Sequence, residues 1–557
     1  MLMKRTHAIL LISLLLAGCG RSTAVETTVP KTTPATMATK PVSVEETNET
    51  AYTSRFEDET RIHLSDDSVL ISVPEGYEGT APAAVTHDII YYEDRTSYDS
   101  GNPYGEGTAE ERHTAEEAAA HTVVNITKPG AYRVTGTLSK GQIRIDLGED
   151  ACEDPNAVVE LILEDADITC TVAPAILFLN VYECDEDASE ETATAEVDTS
   201  AAGANLILEG SNTISGSHVA KIFKDKEEEK KLWKQDGAIY SYMSLNVFGP
   251  GSLELNADNE GLDTELHLTI NGGDIRILSD NDGINTNEDG ISVTTINGGN
   301  LTIVAGLGEE GDGVDSNGYL VINGGTVFSS ANPKSDAGLD SDLGSFIHGG
   351  TVIAMGSTMD WAESDSEQVT MNLQFASQQK AGSQITIEKE DGTELFSFAS
   401  DSEYARTYSG LILSHAAFRQ GETYGVYIDG QQMAYTGNDV GRGGHGGMGQ
   451  HPDMPEGWEP GQRMELPEGE TMPEDFEPGK LVGKGKRPEN RENMTPPKGF
   501  EGEIPTWPEG EMPEPPEGGF GGKGERNPGN GDARTDFYMN DKVNAFSGVM
   551  PALDATA

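Results

Sequence analysis

The sequence predicts an all-β chain: a parallel β-solenoid, then a small antiparallel β domain carrying a long disordered insertion. Three observations predict it. The tetrapeptide Ile-Asn-Gly-Gly occurs at 270–273, 296–299 and 322–325, with Ile-His-Gly-Gly at 347–350, at spacings of 26, 26 and 25 residues. Each copy is followed by a short alternating run and preceded by a second signature: Glu260-Gly-Leu-Asp-Thr264, Asp282-Gly-Ile-Asn-Thr286, Asp312-Gly-Val-Asp-Ser316 and Ala337-Gly-Leu-Asp-Ser341. Helical periodicity is confined to Ala109–Ala120 and Lys224–Lys234. A period in the twenties with several short strands and no helix is the mark of stacked β-coils.

The elements follow in order. Residues 1–18 read as a signal peptide, with Lys4 and Arg5 ahead of an apolar run from Ile9 to Leu16. Residues 19–61, rich in Thr, Ser, Pro and Glu, form a flexible stalk. The solenoid is expected over 62–365. Its early strands are Val69–Val73, Asp88–Tyr92, Val123–Ile126, Ala131–Val134, Gln142–Asp146, Val158–Leu163, Ala175–Leu179 and Asn205–Leu208. Each is strand-length, rich in β-branched residues and bounded by turn formers. Within the repeat the strands are Asp274–Leu278, Asn300–Val304, Thr326–Phe328 and Thr351–Ala354. Strands lacking the repeat then occupy 366–436 and 535–550 as an antiparallel β domain, and 437–534 collapses to Gly, Pro, Met and Glu, where no core can form.

Leu16-Ala17-Gly18-Cys19 resembles a bacterial lipobox, which implies cleavage before Cys19 and a lipid on its sulfur. The expected location is the outer face of a bacterial cell membrane, lipid-anchored. Export permits a disulfide among Cys152, Cys170 and Cys184. Cys152–Cys184 is the expected pair, with Cys170 on a strand, although three cysteines admit other pairings. The 557-residue chain carries a formal net charge of −58. Such a charge excludes nucleic acid and anionic lipid surfaces as partners, and it excludes a polyanionic ligand unless cations intervene.

Stacked coils put equivalent residues in columns about 4.8 Å apart. Leu262, Ile284, Val314 and Leu339 should form an inward column, and Asp263, Asn285, Asp315 and Asp340 the outward column beside it. Like charges at that spacing repel unless something neutralises them. Calcium, which takes six to eight oxygens, would do so. The candidate calcium ligands are Asp258, Asp263, Asp280, Asp282, Asn285, Asn287, Asp289, Asp312, Asp315, Asn317, Asp336, Asp340 and Asp342. The Asn of each Ile-Asn-Gly-Gly is expected to hydrogen-bond along its column as a structural ladder. Lys334 is the one lysine in the repeat and the candidate base of a β-elimination. Trp233, Tyr240, Tyr242 and Trp361 are the candidate sugar-stacking rings.

Several motifs together resemble one family. They are residues 126–138 (ITKPGAYRVTGTL), Asp236-Gly-Ala-Ile-Tyr240, Asn259-Glu-Gly-Leu-Asp263, Asp282-Gly-Ile-Asn-Thr-Asn287 and Gly311-Asp-Gly-Val-Asp-Ser-Asn317, with the Ile-Asn-Gly-Gly repeats. Over 62–362 the chain resembles the bacterial, clostridial-type extracellular carbohydrate-binding proteins, which are right-handed parallel β-helices similar to family 9 polysaccharide lyases. The resemblance implies calcium sites and binding of cellulose or an acidic glycan such as polygalacturonate. The lyase relatives use a lysine beside calcium, a role open to Lys334. Three readings follow: a calcium-dependent carbohydrate-binding surface lipoprotein, a calcium-dependent pectate-type lyase, and a calcium-rigidified adhesin or scaffold.

Overall fold

The computed structural model describes residues 52–91, 113–223, 231–357, 360–399, 405–438 and 533–552, with backbone alone at 220–223 and 231–234. The expected signal segment, Cys19, most of the stalk and nearly all of the 437–534 insertion lie outside these residues. What is described is almost entirely β.

Strands pair in parallel from coil to coil in three stacks. The first runs through Ala204–Glu209, Leu245–Phe248, Leu268–Ile270, Val293–Ile296, Tyr319–Ile322 and Gly344–Ile347. The second runs through Ser211–Gly216, Ser252–Ala257, Asp274–Ser279, Asn300–Val304, Thr326–Ser330 and Thr351–Gly356. The third runs through Gly141–Asp146, Ile176–Asn180, Gly237–Ser241, Glu260–Thr264, Ile284–Thr286, Val314–Ser316 and Asp340–Ser341. These in-register parallel pairings fit a β-solenoid. Its core takes alternate residues of each stack, among them Leu253, Leu255, Ile275, Ile277, Leu301, Ile303 and Val327, each at most 1% exposed.

The turns between first and second strands repeat one design. The Asn323 amide donates to Asn297 Oδ1 at 2.9 Å, and Asn297 donates to Asn271 Oδ1 at 2.9 Å. The second glycine of each copy takes a left-handed backbone. At Gly325 (φ +80°) a Cβ would lie 2.6 Å from the Gly299 carbonyl oxygen of the coil before. Only glycine combines that φ with that approach.

Antiparallel strands cover the start of the stack and the last strand of its second column. At the start, Glu59–Leu64 adds in parallel to Gly130–Leu138, Leu70–Ser72 turns back against it, and Ala83–Thr86 pairs antiparallel with Thr122–Ile126. At the finish, Tyr408–His415 pairs antiparallel with Thr351–Gly356. Thr370–Gln379 then lies between Tyr408–His415 and Val543–Pro551. This second β unit also covers the outer face of the second stack. Leu278, Val304, Phe328, Ile353 and Met355 are buried in one cluster with Met371, Leu373, Leu411, Leu413 and Phe546. Tyr435 and Arg534 form an isolated antiparallel bridge, so the chain leaves and returns at neighbouring points.

Three expectations are corrected. Residues 88–91 form no strand. Of the expected helical run 224–234, residues 224–230 lie outside the described residues, and Lys231–Gln235 is not helical but pairs antiparallel with Val219–Phe223. A helix of that length is marginal in water, and a neighbouring strand satisfies the same backbone groups. A helix does form at Ala115–Ala119, capped reciprocally by Thr114 and Glu117. Finally, Cys152, Cys170 and Cys184 are all free thiols. Cys152 sits on a 3-10 turn with its sulfur toward the Glu149 carbonyl at 3.6 Å, and burial pushes the Cys184 thiol up to about 12.

The long segment between Asn180 and Ala204 is a strap. The Glu183 carboxylate accepts from the Ser244 N–H at 2.6 Å and the Ser244 hydroxyl at 2.8 Å. Asp185 meets His267 Nε2 at 3.3 Å, and the Thr199 hydroxyl reaches Asn246 and Thr269, both at 2.7 Å. It thus binds the two coils that follow its own.

Gly313, at the turn entering the third-stack strand Val314–Ser316, is the tightest point of the stack. A Cβ at Gly313 would collide with the Ser329 hydroxyl and the Gly338 carbonyl oxygen. Gly313→Ala is expected to cost about 1–3 kcal/mol, the range for overpacking a filled core. Urea unfolding midpoints check this, and an unchanged midpoint would contradict the packing described.

Candidate functional site

The third stack carries the recurring acids. Asp263 pairs with Asn285, Asn285 with Asp315, and Asp315 with Asp340, the register drawn from the repeat. Leu262, Ile284 and Val314 form the inward column beside them, each fully buried. The outward column is not a solvated edge: Asp263 is 0% and Asn285 6% exposed.

A second acidic column runs alongside, at the turn that enters each of these strands. Its members are Glu260, Asp282 and Asp312. Gly261 N–H donates to the Asp282 carbonyl at 2.9 Å, and Gly283 N–H to the Asp312 carbonyl at 3.0 Å, which sets the register. The carboxylates themselves bridge coils. Asp282 Oδ1 accepts from the Asp312 N–H at 2.7 Å, and Asp312 Oδ1 accepts from the Ala337 N–H. Asp336 joins at the same turn, accepting from the Gly311 N–H at 2.9 Å.

The electrostatics follow from this crowding. Burial holds the Asp282 carboxyl well above the usual range, reinforced by Glu260, Asp315 and Asp312. Asp312 is pushed up to about 8, by burial first and Asp340 next, against the opposing Ala337 hydrogen bond. At the end of the column the Ser341 hydroxyl donates to Asp360 at 2.8 Å, and burial pushes that carboxyl up to about 6. These are groups whose ionised form lacks a counter-charge.

The other expected ligands are dispersed. Asp258 is engaged by the Ser217 hydroxyl at 2.6 Å and by His218 Nδ1 at 3.1 Å, and it is the like-charge neighbour that burial adds to in raising Asp280. Asn287 and Asn317 act as ladder residues at the far end of the short strands. Asn287 donates to Asp263 and to the Thr264 carbonyl at 3.0 Å; Asn317 donates to the Asn287 carbonyl at 2.8 Å and to Asp289 at 2.9 Å. Asp342 is exposed. Glu260 was not among the expected ligands, although it occupies the register of Asp282 and Asp312 in the repeated signature.

Among the described residues, no three His, Cys, Asp or Glu side chains are already gathered around one point as a metal centre would have them. The donor set still fits a hard cation. Glu260 Oε2 and Asn285 Oδ1 are buried acceptors with no hydrogen-bond partner among the described residues. A buried acceptor left unmet costs about 1–3 kcal/mol. Oxygen ligands, buried and unmatched by donors, are what calcium takes.

The candidate stacking rings are mostly committed elsewhere. Tyr240 is fully buried with its hydroxyl on Glu265, so it has no face to offer a sugar. Tyr242 lies edge-on against it at 5.1 Å. Trp361 packs against the main hydrophobic core, and its Nε1 is buried without a hydrogen-bond partner among the described residues. The Trp233 side chain lies outside the described residues; its backbone stands opposite Ile222 in the hairpin. Lys334 is exposed on the turn 331–339.

A stacked β scaffold with coil-bridging carboxylates on one face is the architecture of an extended binding surface. The profile of the family described as "Carbohydrate-binding domain-containing protein" matches residues 120–406, just over half of the chain, and the chain belongs to that family. A protein of Acetivibrio thermocellus with the same description is 31% identical over 155 residues, covering 28% of this chain and 44% of that one. The chain thus spans less than half the length of that relative. The solved structure of a polysaccharide lyase-like protein from C. thermocellum, a gadolinium derivative, aligns over 52% of this chain and 92% of its own. It does so at 22% identity with a TM-score of 0.31.

The raised carboxyls set a pH dependence. In the folded chain Asp312 keeps its proton up to about pH 8, whereas an unfolded aspartate releases it near pH 4. Between those values the folded state binds more protons, so stability falls as pH rises. In chelator, the urea midpoint should decline from about pH 4.5 to pH 8, and Asp312→Asn should flatten part of that decline. A variant with the wild-type slope would show that Asp312 is not the group responsible.

Proposed function

We propose that this chain is a lipid-anchored, cell-surface polysaccharide-binding protein built on a right-handed parallel β-helix, whose acidic columns hold calcium. The observation that carries the reading is the pair of in-register columns, Glu260, Asp282 and Asp312 beside Asp263, Asn285, Asp315 and Asp340. Within it, two buried acceptor oxygens lack donors. Family membership supports the carbohydrate half of the reading. The proposed anchor is Cys19, exposed by removal of residues 1–18, with the stalk from 19 to 61 spacing the domain from the membrane.

Glu260, Asp282, Asp312, Asp315, Asp340 and Asn285 are the residues that would hold the ion. Bound calcium would supply counter-charge and open coordination positions for oxygens of a ligand. The protein's own part is to fix the carboxylates on a rigid stack, so that ordering them costs little when ligand arrives. A chain of net charge −58 meets a polyuronate through such a cation. Polygalacturonate is therefore the proposed acidic ligand, and cellulose the neutral one. No catalytic role is assigned to Lys334: it stands in solvent, and no feature of its turn singles it out.

The test is affinity electrophoresis in gels carrying polygalacturonate. With calcium present the wild type should be retarded, and chelator should lower the apparent affinity at least tenfold. Glu260→Gln combined with Asp312→Asn should lose the calcium effect while keeping a folded circular-dichroism spectrum. Equal retardation with and without chelator would remove calcium from the reading. An ultraviolet-absorbing unsaturated product appearing in the same mixture would move the protein to the lyases.

A further inference from the structure

A different face of the solenoid carries a row of rings that the acidic columns do not involve. Tyr319 and Phe346 belong to consecutive strands of the first stack, and His348 follows Phe346 by two residues. Their ring centroids are 6.3 Å apart from Tyr319 to Phe346 and 6.3 Å apart from Phe346 to His348. The second pair lies nearly parallel, with planes 24° apart. All three rings are half-exposed, and Leu343 beside them is 43% exposed.

The backbone is shaped to seat this row. Tyr319 pairs with Gly344, whose φ is +125°. A Cβ at Gly344 would lie 2.9 Å from Glu363 Cγ and 3.3 Å from the Phe346 ring, so the glycine leaves room for both beside Tyr319. His348 occupies the coil position that Asn271, Asn297 and Asn323 occupy in the ladder, since Ile347 pairs with Ile322. Its Nδ1 accepts from the Glu367 N–H at 3.2 Å, so the ring's proton sits on Nε2, ready for an acceptor.

The row therefore ends on the amide ladder. Asn297 and Asn323 are exposed, and each uses only one Nδ2–H along the ladder. The second Nδ2–H and the spare Oδ1 lone pair of each remain for a ligand, repeated once per coil, about every 4.8 Å. Flat ring faces beside regularly spaced amides match one class of ligand: a chain of pyranose rings, apolar on its faces and rich in hydroxyls at its edges. The charged residues placed beside this row are Glu363, whose Cγ would lie 2.9 Å from a Cβ at Gly344, and Glu367, whose N–H meets His348; both are acidic. They disfavour a uronate and leave an uncharged glycan as the occupant.

We propose that Tyr319, Phe346 and His348, with Asn297 and Asn323, form a metal-independent stacking site for a neutral polysaccharide, separate from the acidic columns. The inference rests on the polysaccharide-binding reading but not on its calcium half.

The experiment uses the full chain carrying Cys19→Ser, in chelator, on affinity gels of cellulose derivative, glucomannan and xyloglucan, with calcium–polygalacturonate gels run in parallel. Wild type should be retarded by at least one neutral glycan. Tyr319→Leu with Phe346→Leu, which keeps apolar volume but removes the flat faces, should lose that retardation about tenfold or more. The same variant should keep its unfolding midpoint and its calcium-dependent retardation by polygalacturonate. Asn323→Ala should weaken neutral-glycan binding by a smaller factor.

Wild type that ignores every neutral glycan yet binds polygalacturonate would overturn this site and leave the calcium reading standing. Wild type that binds neither would sink both. Undiminished neutral-glycan binding by the double variant would also overturn the site, as would a concentration-dependent dimer in sedimentation that the double variant abolishes, since the rings would then serve a second copy of this chain. If the double variant lowers the unfolding midpoint, Tyr319→Leu alone, tested at matched folded fraction, must still lose retardation for the inference to stand.

Discussion

Everything in this chain depends on coils stacking in register at one strand spacing. Parallel backbone hydrogen bonds fix that spacing near 4.8 Å and leave no freedom for a residue to avoid its counterpart in the next coil. Inside, this is favourable: Ile275 and Ile277 fall on Leu301 and Ile303, then on Val327 and Ser329, and the core fills itself. Outside, the same rule brings Asp315 against Asp340 and Asp282 against Asp312. The acids are thus held together by the core's demand for register. The carboxyls of Asp282 and Asp312 are raised by burial first and by this like-charge crowding second.

The register itself was legible, because a fixed period needs only one alignment to place every column. The Asn ladder and the acidic column from Asp263 to Asp340 follow directly from the spacing of Ile-Asn-Gly-Gly. What lay beyond the repeat was less legible. Glu260 shares a column with two aspartates, yet a longer side chain at one position of a signature reads as a variation. Tyr240, a candidate for stacking, stands in the column of Asp263. Alternation says which side a residue leaves the sheet, not what covers that side, and here Tyr240 is buried against Glu265 and Tyr242. Tyr319 and Phe346 escaped notice for the converse reason. They sit at different positions of successive copies, so no column of aromatics appears in the sequence, and only the approach of the Phe346 ring to Gly344 and Tyr319 joins them.

The ends and the turns show how a stack of this kind is kept from growing. A solenoid's terminal strands present unpaired backbone groups, the liability of any sheet edge. Here the first coil is covered by strands that reverse direction, and the last strand of the second stack by Tyr408–His415. Antiparallel pairing at the first coil and at the last strand of the second stack means that neither of these offers a parallel template to a second chain. The strap between Asn180 and Ala204 serves the same economy sideways. Glu183, Asp185 and Thr199 each engage a later coil, so a segment with no strand of its own ties together coils that otherwise touch only their neighbours.

These constraints separate the faces by chemistry. The second stack gives its outer side to the appended β unit, through Leu278, Val304, Phe328 and Ile353. The third gives its outer side to crowded acids, Asp282 and Asp312 among them, whose carboxyls are raised. The first is crossed by the strap at Asn246 and Thr269, and carries Tyr319 and Phe346 two and three coils further along. A glycan lying along either open face would meet the same element once per coil, whatever its length. Affinity on such a surface grows by repetition of modest contacts on a rigid frame, with little ordering left to do on binding. On the two readings proposed above, the charge that would keep polyanions away from the ring row is the charge that, with a cation present, would hold them at the columns. One rigid stack would then present two polysaccharide chemistries without any part of it moving.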